Sequence, residues 1–233
     1  MVIRDVLSNN ECKNTLMEIE HQMKNKDPRI QLNNLDSYDY IPIINNYGLY
    51  TNKPIFSRQF MINGQNEKFY QCFTLLYNNN DLMVNHDRCA FYRPTKNLVI
   101  NDQLINKVEW KTDYNYPGLH LDFNSNQVKS NREKLNYKDN RDFISENNQY
   151  CQSDGLQLQT VINLIDNEDQ DGGFQCVPRF STIFGQWIRD YSGTNNSSAG
   201  LYLFNVNFKS DMSYIRNIQR VSFLLVLLLF GIN

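Results

Sequence analysis

The sequence predicts a mainly β fold with flanking helices, an α+β protein, and two kinds of pattern support this. Short runs in its second half alternate apolar with polar side chains or are apolar throughout, which is typical of strands. Two segments near its start repeat apolar side chains every three or four positions, which is typical of helices. At 233 residues the chain can bury one sizeable core. We therefore expect a single domain over residues 1–233, with a helical extension over residues 1–80.

The helical extension begins with a predicted amphipathic helix. Asn10 is of a type that caps helix N-termini, and helices commonly end before a pair such as Asp27-Pro28. Between these positions apolar side chains recur at helical spacing, so one face of the helix is expected to pack against the core. That face consists of Cys12, Leu16, Ile19 and Met23.

The rest of the extension is expected to be less regular. Residues 29–61 are rich in Asn, Tyr and Pro without a sustained period, which predicts a long loop with a short strand over residues 40–44. Helical spacing returns over residues 66–77, which predicts a second helix closed by a run of three asparagines. A strand is then expected over residues 82–84.

The segments after residue 88 are mostly strand candidates. The acidic residues 167–172 predict a hairpin or a strand-to-strand loop, and the apolar spacing over residues 180–188 predicts one helix among the strands. Residues 124–149 are polar without a period, which indicates an insertion or lid loop. The expected strands are residues 88–93, 119–123, 155–166, 173–177, 201–208 and 220–230.

Composition argues against several classes of protein. A net charge of -2, with both signs interspersed, offers no basic face for nucleic acid and no block of charge for an anionic membrane. The five cysteines lie far apart without a CxxC pair, which predicts neither a disulfide framework nor a thiolate zinc site. Because the N-terminus also lacks the pattern of a targeting peptide, we expect a cytoplasmic protein.

The apolar run over residues 221–232 is the sole membrane-like feature of the sequence. A helix that crosses a bilayer needs roughly 20 apolar residues, whereas a run of this length suits a buried strand. We therefore expect a strand here and no membrane partner. A C-terminal membrane anchor is the alternative.

The sharpest chemical signal is the pair His120 and Asp122. Residues two apart in a strand point to the same side, so one imidazole and one carboxylate can reach the same metal ion from a rigid support. With one distant histidine added, this set forms the 2-His-1-carboxylate triad that holds Fe(II) in oxygenases. A bare pair with this spacing is more often structural or solvated, so the flanking sequence must decide.

The flanking sequence resembles a known family. Residues 110–124, WKTDYNYPGLHLDFN, and residues 158–180, LQTVINLIDNEDQDGGFQCVPRF, occur in the order seen in the phytanoyl-CoA dioxygenase-like family of Fe(II)/2-oxoglutarate oxygenases. The upstream RPTK of residues 93–96 is also similar to that family. The resemblance implies a double-stranded β-helix, or jelly roll, that hydroxylates a small molecule whose identity the sequence does not reveal.

The resemblance also implies roles for particular residues. His120 and Asp122 would be iron ligands, and Gln159 would lie near the 2-oxoglutarate pocket together with Asn163 on the same strand. Arg93 is a further candidate for that pocket. Each of the last three has a plainer interpretation, because strand amides commonly face solvent or support a sheet, and an arginine before a proline is commonly a surface charge.

Two departures from the family pattern bear on activity. The family's VPG turn reads Val177-Pro178-Arg179 here, and the expected distal histidine and co-substrate arginine are not found after Arg220. His21 and His86, the other two histidines, both precede His120. The expectation is therefore a jelly roll without its last strands, with little or no turnover. The alternative is a non-catalytic jelly-roll paralogue or a truncated gene product.

Overall fold

The chain forms a mixed α+β structure of helices and small antiparallel sheets. Its first elements are strand β1 over Val2–Arg4 and helix α1 over Asn9–Lys24. The computed structural model describes residues 2–43, 48–84, 88–111, 119–121, 157–167, 174–180, 183, 186–187, 190, 197–198, 201–220 and 226–232.

Helix α1 confirms the first predicted helix, with a correction to its cap. Ser8 caps the helix, because its hydroxyl accepts from the Glu11 amide while the Glu11 carboxylate accepts from the Ser8 amide at 2.7 Å. This reciprocal pair is a capping box, and it places Asn10 inside the first turn. Cys12, Ile19 and Met23 are buried, as their spacing predicts.

Two more helices complete the helical extension. Helix α2, over Arg58–Gly64, was not predicted, whereas helix α3, over Glu67–Tyr77, confirms the second prediction. The Asn66 side chain caps α3 by accepting from two backbone amides, and Asn78 ends it in the left-handed conformation. Helices α1 and α2 are joined by a buried hydrogen bond from the Asn63 amide to the Thr15 hydroxyl, 2.8 Å long.

Three predicted strands are wrong in the described residues. Leu35–Tyr40 form a 3-10 helix, and residues 41–43 are irregular, so the strand over 40–44 does not form there. Residues 82–84 are also irregular. Of residues 88–93 only Ala90 makes a β-bridge, to Leu49. The apolar runs in these segments are too short to specify a ladder without a partner strand beside them.

A hairpin that was not predicted follows them. Strand β2, over Leu98–Ile100, pairs antiparallel with strand β3, over Gln103–Ile105. The two turn residues Asn101 and Asp102 both have positive φ, 50° and 60°, as the tight turn of a two-residue hairpin requires. A second 3-10 helix, Val108–Trp110, comes next.

The remaining described strands form three sheets together with β1. They are β4 (His120–Leu121), β5 (Gln157–Ile162), β6 (Gln175–Cys176), β7 (Ser197–Ser198), β8 (Leu201–Leu203), β9 (Gln219–Arg220) and β10 (Val226–Ile232). In one sheet β1 pairs with β10 and β10 with β5, in another β4 pairs with β8 and β8 with β7, and in the third β6 pairs with β9.

This topology decides two of the open alternatives. Strands β5 and β6 lie in different sheets, so they do not pair as a hairpin, and residues 168–172 of the acidic segment lie outside the described residues. The C-terminal apolar run contains β10, which lies between β1 and β5, so the strand interpretation is confirmed for residues 226–232. Across the described ranges no helix is both long and apolar enough to span a bilayer.

Helical residues also occur between these strands along the chain. Helix α4, over Lys209–Ile215, follows β8 and was not predicted. The described positions within residues 180–190 are helical, as their apolar spacing predicts. The jelly-roll arrangement, by contrast, stays a prediction, because the described strands form separate sheets of two or three strands.

The described residues form two main clusters of buried side chains. The first, which we call the N-terminal core, joins α1, both 3-10 helices and β2. The second, which we call the aromatic cluster, lies beside β4 and β8. The N-terminal core consists of Ile19, Met23, Ile30, Tyr38, Ile41, Tyr50, Ile55, Leu98, Ile100 and Trp110, and the aromatic cluster of Trp187, Tyr202 and Phe204 with Phe180 and Tyr214 packed against them.

Candidate metal and co-substrate site

His120 lies on strand β4 with its side chain exposed. Its neighbours Leu119 and Leu121 pack against the aromatic cluster, on the opposite face of the strand. The sequence predicted this alternation at residues 119–121, with the leucines on one face and the imidazole on the other. The imidazole therefore stands on a strand whose other face is anchored in packed side chains.

Asp122, the second predicted ligand, lies outside the described residues. Its position on the same face as His120 stays a prediction from the two-residue repeat of a strand. In the part of the chain that the structure describes, no three His, Cys, Asp or Glu side chains are grouped closely enough to hold a metal ion. His86, like Asp122, falls outside that part.

Gln159 lies in a different sheet from His120, on the strand that ends just before Asn163. Gln159 is exposed on β5, where it pairs with Phe230 of β10. Asn163 is half-buried and follows the last residue of β5, so the predicted strand ends just before it. In the described residues β5 pairs with β10, whereas β4 pairs with β8 in a different sheet. That the side chains of Gln159 and Asn163 lie near His120 therefore stays a prediction.

Arg93 is half-buried against the N-terminal core. Its Nη1 donates to the Tyr38 carbonyl at 3.2 Å, and its guanidinium carbon lies 5.2 Å from the centre of the Trp110 ring. Burial lowers the pKa of Arg93, while the carboxylates of Asp39 and Glu109 oppose that shift. Its Nε is buried and has no hydrogen-bond partner among the described residues. These contacts give Arg93 a packing role, and its contact with a co-substrate stays a prediction.

A buried hydrogen bond between two side chains, one of them in the aromatic cluster, was not predicted. The Tyr202 hydroxyl donates to the Asp211 carboxylate, at 3.0 Å to Oδ1 and 3.1 Å to Oδ2. The same carboxylate accepts from the Asn205 amide at 2.9 Å and from the Ser210 hydroxyl at 3.3 Å. Tyr202 and Asp211 are nine positions apart in the sequence, and no sequence period links them, so only the folded chain shows this contact.

Comparison with known proteins adds one strong match. A curated protein of Dictyostelium discoideum, named "Putative phytanoyl-CoA dioxygenase", is 40% identical to the chain over 200 residues, which cover 81% of the chain. This match supports assignment of the chain to the phytanoyl-CoA dioxygenase-like family. It spans about half, 54%, of the length of that relative. No protein-family model and no solved structure matches it.

The match to this relative confirms the resemblance to the phytanoyl-CoA dioxygenase-like family found in the sequence. In general that family name implies dependence on Fe(II) and 2-oxoglutarate. The exposed imidazole of His120, on a strand and spaced by one residue from a carboxylate, suits this metal, since Fe(II) oxygenases bind iron through histidine and carboxylate side chains.

Proposed function

We propose that the chain is an Fe(II)/2-oxoglutarate-dependent dioxygenase-like protein that acts on a small molecule. The observation that carries this proposal is the exposed imidazole of His120, anchored on a strand within a sequence 40% identical to a named phytanoyl-CoA dioxygenase relative. His120 and Asp122 are the proposed metal ligands. Gln159, Asn163 and Arg93 are the proposed contacts of the co-substrate.

When bound, Fe(II) and 2-oxoglutarate would supply the oxidation of a substrate C–H bond by O₂, coupled to decarboxylation of 2-oxoglutarate. The protein's own residues would hold and orient the metal and the co-substrate. His120 would donate a nitrogen lone pair from the open face of β4, because Leu119 and Leu121 fix the opposite face against the aromatic cluster. Asp122 would add a carboxylate from the same face, if the strand continues through it.

We also propose that this 233-residue polypeptide turns over slowly. Its three histidines are His21, His86 and His120, so it contains no histidine after Asp122. A site built from one imidazole and one carboxylate leaves more positions to water than the complete triad does. Weak metal binding follows, and slow oxidation follows from weak binding.

Metal binding is tested by anaerobic titration of the purified chain with Fe(II), or with Co(II) as a stable substitute. We expect His120→Ala to weaken binding by at least about tenfold, because removing even an outer partner of a metal ligand costs that much. His21→Ala is the matched control, since His21 is also exposed but lies on helix α1. Equal binding by His120→Ala and the wild type would remove the metal-site proposal.

Turnover is tested by measuring succinate formed from 2-oxoglutarate in the presence of Fe(II), ascorbate and O₂. We expect a slow rate that disappears in His120→Ala and persists in His21→Ala. A fast rate that depends on His120 would contradict the low-activity part of the proposal. An absence of both metal binding and succinate would favour the non-catalytic jelly-roll alternative.

A further inference from the structure

Strand β4 needs support beyond its own hydrogen bonds. Its described part is His120–Leu121, and the register of a strand is specified by the side chains that it buries on one face, so the buried neighbours of β4 are needed to set it. A slip of one residue would turn His120 toward the aromatic cluster and Leu121 away from it. Whatever fixes the register of β4 therefore decides whether the imidazole faces outward.

The neighbouring strand β8 provides that support. Leu121 pairs with Tyr202 and His120 with Leu203, and the Phe204 amide donates to the Leu119 carbonyl at 3.1 Å. Directly paired residues share a face of the sheet, so Leu121 and Tyr202 both point to the aromatic cluster. The register of β4 thus depends on where the Tyr202 ring lies.

The Tyr202 ring is held at both ends. Its ring centre lies 5.1 Å from that of Trp187 and 5.0 Å from that of Phe204, both in the edge-to-face arrangement that aromatic pairs prefer. Its hydroxyl donates to the carboxylate of Asp211, which is 2% exposed. That carboxylate also accepts from the Asn205 amide, so helix α4 is tied to the segment after β8.

We propose that Tyr202 and Asp211 are positioning residues that hold β4 in the register in which His120 faces outward to bind the metal. The proposal rests on the proposed function, because it assigns His120 as a ligand. Neither residue touches the metal in this proposal. They act through Leu121, whose side chain shares the face of Tyr202.

The test compares two tyrosine-to-phenylalanine substitutions in the aromatic cluster. Tyr202→Phe removes the hydroxyl that reaches Asp211 and keeps the ring. Tyr214→Phe is the matched control, because Tyr214 also packs against Phe204, with ring centres 5.7 Å apart, but lies on α4 rather than beside β4. Each full chain is titrated with Co(II), and the affinity and visible absorption spectrum are recorded together with thermal unfolding.

We expect Tyr202→Phe to weaken Co(II) binding about tenfold and to change the absorption spectrum, as removal of an outer support of a metal ligand does. Tyr214→Phe should leave both unchanged. Asp211→Asn keeps an oxygen that can accept from Tyr202 and should lose less affinity than Asp211→Ala. If Asp211→Ala does not fold, Tyr202→Phe and Asp211→Asn still carry the test.

Three results would overturn the proposal, and the affinity, the spectrum and thermal unfolding together distinguish them. If the wild type binds Co(II) through His120 but Tyr202→Phe binds it equally well with the same spectrum, the positioning role fails while the proposed function stands. If the wild type and His120→Ala bind equally, both proposals fail. A loss of thermal stability in Tyr202→Phe without a change in affinity or spectrum also overturns it, because that is a purely structural effect.

Discussion

The N-terminal core and the aromatic cluster are built on different principles. The N-terminal core buries aliphatic and aromatic side chains from several helices and a hairpin, supported by a capping box and a buried polar contact between α1 and α2. The aromatic cluster buries Trp187, Tyr202 and Phe204 against short strands. The candidate metal ligand lies beside the second, smaller cluster.

This difference shows where local sequence is sufficient and where it is not. A helix such as α1 forms its own hydrogen bonds, so its cap and apolar face identify it without knowledge of its neighbours. Within the described residues, strand β4 takes its ladder hydrogen bonds from its partner β8. The two regions can be tested separately because the two tryptophans of the chain, Trp110 and Trp187, lie one in each cluster.

The largest effect is expected from Phe204→Ala. Phe204 is 1% exposed and contacts the rings of Trp187, Tyr202, Phe180 and Tyr214, so truncation leaves a cavity that these rings fill poorly. We expect a loss of about 3–5 kcal/mol in the free energy of unfolding of this region. Urea denaturation monitored by Trp187 fluorescence, in a Trp110→Phe background, measures it.

The same experiment distinguishes the two regions. In a Trp187→Phe background, Trp110 fluorescence should report a midpoint that Phe204→Ala barely changes, because the two clusters share no described side chain. Equal shifts of both midpoints would show that the regions unfold as one cooperative unit, and the comparison would then no longer hold.

Met23→Ala should lower the stability of the N-terminal core rather than that of the aromatic cluster. Met23 is fully buried in the N-terminal core, and its truncation should cost about 2–5 kcal/mol there. Co(II) affinity should stay at the wild-type value, since β4 does not belong to this core. A tenfold loss of Co(II) affinity in a folded Met23→Ala chain would show that the metal site depends on the N-terminal core after all.

Ser8→Ala should produce a smaller loss, about 1 kcal/mol, because it removes the cap of α1. Circular dichroism and a urea midpoint measure it. Ser57→Ala is a useful comparison, since Ser57 precedes α2 and its hydroxyl donates to the Glu18 carboxylate instead of capping the helix. If Ser8→Ala and the wild type have the same midpoint, the capping box does not stabilise the folded chain.

The smallest effect is the pH dependence of the same cap. Hydrogen bonds from Ser8 lower the pKa of Glu11 below its ordinary value of 4.5. The folded chain therefore binds this proton less readily than the unfolded chain, so the contribution is present above about pH 4.5 and is lost as the pH falls through the lower, folded-state pKa. The difference in urea midpoint between the wild type and Glu11→Gln should shrink between pH 6 and pH 3.

Sequence reasoning succeeded where the deciding interactions are close in the chain. It identified α1, α3 and the central part of β5, and it predicted the alternation that points His120 away from Leu119 and Leu121. It missed the hairpin of β2 and β3, although the positions Asn101 and Asp102 between two apolar runs were a usable signal. It also assigned strands to residues 82–84 and 88–93, where no ladder forms in the described residues.

What the sequence by itself determined is the resemblance to one family, the helices near the start of the chain and the imidazole on a strand. Each of these depends on residue types and spacings within a few positions. Only the tertiary structure decided the strand order, the place of β10 between β1 and β5, and the contact of Tyr202 with Asp211. A ladder and a buried hydrogen bond each need a partner that the chain supplies from a distant position, so neither can be read from local sequence.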